Sequence, residues 1–187
     1  EWGFKKWGRK ITENGIENVF VRDFSKLVSE NPRECFPYVD RNSRVFINPI
    51  WPDYHTELFP DSILNNESPQ DYVENEPHRN ALKKVYISRS YTRNLKSGDI
   101  ILFYRTGGKY AGVISTIGVV ENVILNISSE EEFVRLCRKR SVFDDTELIK
   151  WWNYNPYKLP SHKINRPFIV NFLYIDSFPK PKINLER

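Results

Sequence analysis

The sequence predicts a β-rich α+β fold: one strand-dominated domain with a few short helices, preceded by a separate β-hairpin. Three observations carry this. Aromatic residues make up 14% of the chain, five Trp, ten Tyr and twelve Phe, and such residues fit pleated, half-buried surfaces. Apolar runs of strand length recur between turns marked by glycine and proline. Two segments have the caps and charge order of a helix.

The first strands are expected in "WGFKKWGRKITENGIENVFVRDF", where Asn14-Gly15 separates two stretches of strand character. An Asn-Gly pair takes positive φ at both central turn positions, which makes a hairpin the natural reading. Residues 25–44 are polar, contain two prolines and show neither period, so they read as a linker. "VFINPI" reads as a strand ended by Pro49 and Pro52, whose missing N–H groups break a ladder. The following "WPDYHTELF" reads as a proline-stiffened loop, and "NNESPQDYVENEP" as an acidic one.

"HRNALKKVYIS" is expected to begin as a short helix and finish extended. "LKSGDIILFYRTGG" is the clearest element, a Ser-Gly-Asp turn feeding an apolar strand closed by two glycines. "YAGVISTIGVVENVIL" is rich in β-branched residues, with Gly112 and Gly118 as candidate bulge positions. "SSEEEFVRLCRKRS" is a helix with Ser128 or Ser129 as its cap, acidic residues in its first turn and basic ones in its last. "DDTELIKWW" is a second, capped by Asp144 or Asp145. "RPFIVNFLYIDSF" is a long final strand. No internal repeat or low-complexity tract interrupts this layout.

The composition narrows the function classes. Residues 1–187 suffice for one domain plus an appendage. No run of eighteen uncharged apolar residues occurs and the amino end lacks the pattern of a secretory signal, so a cytoplasmic protein with no membrane partner is expected. Cys35 and Cys137 form neither a disulfide framework nor a CxxC pair. His55, His78 and His162 lack metal-ligand spacing, so no metal or other cofactor is expected in this chain. A net charge of +4 suits a polyanionic partner without demanding one.

Several motifs bear on chemistry. "RTGGKYAG" approaches the R-x-x-G-x-G/A loop that holds acetyl-CoA in GNAT acetyltransferases. Tyr110 stands where Gly or Ala is needed, however, and a strand rather than a helix follows, so a turn is the better reading. There is no G-x-S-x-G elbow. His55, flanked by Asp53 and Glu57, has the residue types of an oriented general base, and equally those of a packing histidine. Arg138, Lys139 and Arg140 either grip phosphates or satisfy a helix C-terminus. "SRSYTR" at 88–93 interleaves arginine and tyrosine beside hydroxyls, as single-strand binding sites do, or is a solvated loop.

From about Val45 to Arg187 the order of elements resembles the PUA-like superfamily, which includes the EVE, ASCH and YTH domains. In those families a "GD" turn, here Gly98-Asp99, leads into a central strand of a pseudo-barrel. A "G-x-x-x-V" strand follows, here Ile114 to Val120, and a final strand ends near "P-x-x-L", here Pro181 to Leu185. "EWGFKKWGRK" is similar to the end of a GNAT domain, with Gly3-Phe4 and Gly8 matching its "GF-x-x-x-G" turn. The resemblance implies three parts: residues 1–24 as the last hairpin of an acetyltransferase, 25–44 as linker, and 45–187 as a PUA-like domain.

PUA-like relatives bind RNA or modified bases in a cleft beside the first strand, against an aromatic wall. The resemblance therefore implies a nucleic-acid-binding module, with RNA favoured over DNA, covalently attached to an upstream bacterial acetyltransferase. Acetyl-CoA would belong to the parent protein and not to these residues. Ligand contacts are expected from Trp51, Asp53, Tyr54, His55, Ser88, Arg89, Tyr91 and Tyr104. Phosphate contacts are expected from Arg93, Arg105, Arg138, Lys139 and Arg140. Two alternatives stay open. One is an ASCH-type hydrolase of modified nucleosides using Thr56, Glu57 and Lys83 or Lys84. The other is a protein-interaction domain whose aromatics are core, in which case Trp51 and Tyr54 would be buried with no concave pocket beside them.

Overall fold

The computed structural model describes residues 2–25, 31–62, 76–107 and 112–183. The chain is α+β and strand-rich. β1 (Phe4–Thr12) and β2 (Gly15–Arg22) form a two-stranded antiparallel sheet. β3 (Val45–Ile50), β4 (Lys83–Ser88), β5 (Ile100–Arg105), β6 (Val113–Ile124) and β7 (Phe168–Ile183) form a curled five-stranded sheet in the order β3-β5-β6-β7-β4. The helices are α1 (Pro32–Cys35), α2 (Pro52–Leu58), α3 (Glu130–Cys137) and α4 (Asp145–Asn153).

The hairpin forms, but not by the turn the Asn-Gly pair suggests. Thr12 pairs with Gly15, so Glu13 and Asn14 are the turn residues and only Gly15 takes positive φ, at 114°. Such a turn needs one left-handed position, not two. The stretch read as a linker contains α1, started by Asn31, whose side chain accepts from the Arg33 N–H. Pro32 and Cys35 are buried. Arg22 donates to the Glu34 carbonyl at 2.8 Å and the Trp2 ring meets Phe36 edge-on, which ties the hairpin to α1. α1 is tied in turn to β6 through Arg33 and Glu121.

β3 is an edge strand, which is where a strand tolerates Pro49. The "WPDYHTELF" segment is a helix, α2, and not a loop. Pro52 occupies its first turn, where the missing N–H costs nothing and the fixed φ helps. Read with helical spacing, His55, Leu58 and Phe59 fall on one side, and all three are buried. The expected helix at the start of "HRNALKKVYIS" does not form; residues 77–79 make a turn ahead of β4. β6 is one continuous strand with three register shifts, one of them at Gly118. A Cβ there would lie 2.7 Å from the Phe172 ring.

Ser129 caps α3 and Asp144 caps α4, the latter in a capping box with Glu147. α3 ends at Cys137, so the "RKR" run lies beyond the helix, with Lys139 at φ 65°. The acidic residues 65–75, Gly108, Tyr110 and Leu185 lie outside the described residues.

Strand alternation divides the core in two. Phe168, Val170 and Phe172 pack with Ile50, Leu58, Phe59, Ile101 and Phe103 inside the curl. Ile169 of the same strand packs on the other face, with Val85, Ile87, Phe133, Leu148 and Trp152, beneath α3 and α4. Among the described residues no helix is long and apolar enough to cross a membrane.

Candidate functional site

Curling brings the two edge strands together. The Tyr86 hydroxyl of β4 donates to the Pro49 carbonyl of β3 at 3.1 Å, and Tyr86 also packs edge-on against Phe103. A cavity of about 460 Å³ opens at this seam. Trp51, Tyr54, Tyr86, Phe143 and Trp151 line it with rings, and Ile50, Leu58, Val85, Ile87 and Val142 supply aliphatic surface. Tyr54 and Phe143 meet edge-on at 4.7 Å between centroids, and Phe143 lies 5.4 Å from Trp151, so three of the rings form one wall. Trp51 is 72% exposed.

Among the described residues the lining contains no carboxylate, ammonium, guanidinium or imidazole. Its polar side chains are Ser141, the two indoles and the two phenols. Burial pushes the Tyr86 phenol up to about 12. Tyr54 is raised by burial and then by Glu147, Asp53 and Glu57. Both are therefore neutral donors near pH 7. The site offers flat apolar faces, a few directional hydrogen-bond groups and no fixed charge, which suits an uncharged ring.

Each expected ligand residue has a definite place. Trp51 and Tyr54 line the cavity, carried by the start of α2. Ser88 and Arg89 line an adjoining hollow of about 520 Å³ that shares Tyr86, Ile87 and Trp151 with it. Asp53 lies on the other flank, in a hollow bordered by Tyr54, Glu57, Asp144, Asp145 and Glu147. His55 points to the interior, fully buried, with Nε2 2.5 Å from the Ser115 hydroxyl. From Ser115 a chain of hydroxyls runs through Thr116, Ser62, Ser177 and Tyr174 to the Asp61 carboxylate. Tyr91 is 89% exposed and lines neither hollow, and Tyr104 lies on β5 against Gly112.

The five cations expected to hold phosphate are not gathered together. Arg138 pairs with Asp145, its Nε 3.1 Å from Oδ1. Arg140 donates to the Lys83 carbonyl, Arg93 to Asn165 Oδ1 and the Arg166 carbonyl, and Arg105 is buried. Lys139 is exposed. The alternative catalytic set is likewise bonded to other groups: Thr56 donates to the Pro52 carbonyl, Lys83 pairs with Glu121 at 2.8 Å, and Lys84 donates to the carbonyls of His78 and Arg79.

Tyr86, Phe143 and Trp151 were missed in the sequence. Alternation along "KKVYIS" puts Tyr86 on the face opposite Val85 and Ile87, a legible signal. Trp151 and Trp152 are adjacent on α4; Trp152 is buried in the core and Trp151 faces the cavity. No protein family, curated protein or solved structure that was compared matches this chain.

Proposed function

We propose that residues 45–187 are a PUA-like module that binds nucleic acid, RNA in preference to DNA, by taking an unstacked base into the aromatic cavity at the β3–β4 seam. One observation carries the reading: five aromatic side chains converge on an uncharged concave space of about 460 Å³. Every base has a flat π face, and stacking on such rings is worth about 1–3 kcal/mol per base. A pocket between two strand edges also offers main-chain groups to a base edge. The exposed Trp51 opposes the view that these rings are merely core.

The hairpin fits the attached-acetyltransferase part of the same reading. Trp7, Ile11, Ile16 and Phe20 are all more than half exposed on two strands, which suits a ribbon that completes another domain's sheet.

Titration of tryptophan fluorescence with short single-stranded RNA, single-stranded DNA and free nucleosides tests the proposal. Saturable quenching at micromolar ligand, weakened by salt and by Trp151→Ala, is the expected result. Unchanged fluorescence with all three ligands removes the reading.

A further inference from the structure

The two flanks of the aromatic cavity carry opposite charge. On the Tyr54 side stand Asp53, Glu57, Asp144, Asp145 and Glu147. Among the described residues only Arg138 and Lys139 oppose them there, and Arg138 is already paired with Asp145. A phosphate on that side meets net repulsion.

Beyond Trp151 the balance reverses. Arg89 and Lys150 line the adjoining hollow with Ser88, Ser90 and Tyr154. Arg89 donates to the main-chain oxygens of Asn165, Trp151 and Trp152. Arg166 shares the Trp152 oxygen at 2.6 Å, and Arg93 donates to the Asn165 side chain and the Arg166 carbonyl. Two of the guanidiniums, Arg89 and Arg93, thus meet at Asn165, and the third, Arg166, shares the Trp152 oxygen with Arg89. Their hydrogen bonds go to neutral carbonyl oxygens, and among the described residues none of them pairs with a carboxylate. Capping the end of α4 accounts for Arg89 and Arg166. It does not account for Lys150, nor for three guanidiniums that lie over the rings of Tyr154, Phe168 and Trp152 and, among the described residues, pair with no carboxylate. Burial lowers the Arg89 pKa, and the neighbouring Arg166 adds to the lowering.

We infer that this end of the groove is an anion subsite, and that the ligand of the aromatic cavity is a nucleotide whose phosphate lies toward Lys150 and Arg89, away from Tyr54. The inference rests on the proposal that the cavity holds a base, and it names the substrate class: a base already carrying phosphate, with its strand leaving past Trp151. Lys150 is exposed on α4 and supplies a mobile ammonium; the half-buried arginines supply fixed positive potential.

The test is calorimetric titration of the full chain with a panel of nucleosides and their 5′- and 3′-monophosphates, using wild type, Lys150→Glu and Lys139→Glu. The expected result is that at least one monophosphate binds about tenfold more tightly than its nucleoside. Lys150→Glu abolishes this gain and leaves nucleoside affinity unchanged, whereas Lys139→Glu keeps the gain. Equal affinity for nucleoside and monophosphate, or a gain that survives Lys150→Glu, overturns the inference while base binding stands. Absence of binding by every nucleoside and monophosphate overturns the base-binding proposal, and this inference with it.

Discussion

The Tyr86 hydroxyl and the Pro49 carbonyl are 3.1 Å apart, and their hydrogen bond joins the two edge strands of the curled sheet directly over the core. Proline contributes here twice. It donates nothing to a ladder, so β3 stays an edge, and its carbonyl remains available to accept from β4.

Tyr86→Phe removes that bond and keeps the ring. The expected loss is about 1 kcal/mol of stability, since a neutral hydrogen bond contributes roughly that much. Urea unfolding followed by circular dichroism checks it: the midpoint falls and the slope does not change. A midpoint equal to wild type means the seam is held by packing alone.

Trp51→Ala should separate binding from stability. The side chain is 72% exposed, so the unfolding midpoint stays within about 0.5 kcal/mol of wild type. Loss of a stacking face costs about 1–3 kcal/mol of RNA affinity. Calorimetric titration beside thermal melts measures both. A large stability loss with unchanged affinity contradicts a recognition role for this indole.

Lys84 should contribute stability that grows as pH rises above neutrality. Burial lowers its pKa from 10.5 to about 8, the nearby Asp61 only partly opposing this. Between pH 8 and 10 the Lys84 side chain is therefore more protonated in the unfolded chain than in the native one, and linkage makes its contribution to the free energy of unfolding increase across that window. Above pH 10 Tyr86, pushed up to about 12, reverses the trend, because the unfolded state releases its proton first. The denaturant midpoint of wild type minus that of Lys84→Met, a difference that cancels the opposing effect of the buried Cys137 thiol, pushed up to about 12, should climb from pH 8 to pH 10. A difference that stays flat would show that Lys84 is well solvated in the native state.

Glu121 clasps the hairpin-bearing α1 to the sheet. Burial alone would push its carboxyl up, but hydrogen bonds from Lys83 and Arg33 hold it below the usual range. Glu121→Ala strands two cations and should cost on the order of 2 kcal/mol. Amide exchange should quicken in residues 31–36 and in the hairpin, and not in β7. Uniform quickening throughout the chain would mean that the clasp is not local.

The sequence alone determined the strands, the capped helices, the hairpin and the α+β class, because these follow from local period, capping chemistry and turn residues. It also singled out Trp51, Tyr54, Ser88 and Arg89, which the structure places along one groove. It misread Pro52, which begins α2 instead of stiffening a loop, since proline breaks a ladder but also starts a helix and only the surrounding packing selects between the two. Tertiary structure decided the rest. His55 is turned inward onto Ser115, and the candidate phosphate cations are spread apart or spent on internal partners. Trp51 and Tyr86, 35 positions apart in the numbering, meet in one cavity because the sheet curls until its edges touch. Side-chain period is a property of a few neighbouring residues, whereas the closing of two edges depends on register and twist summed over five strands, which no local pattern encodes.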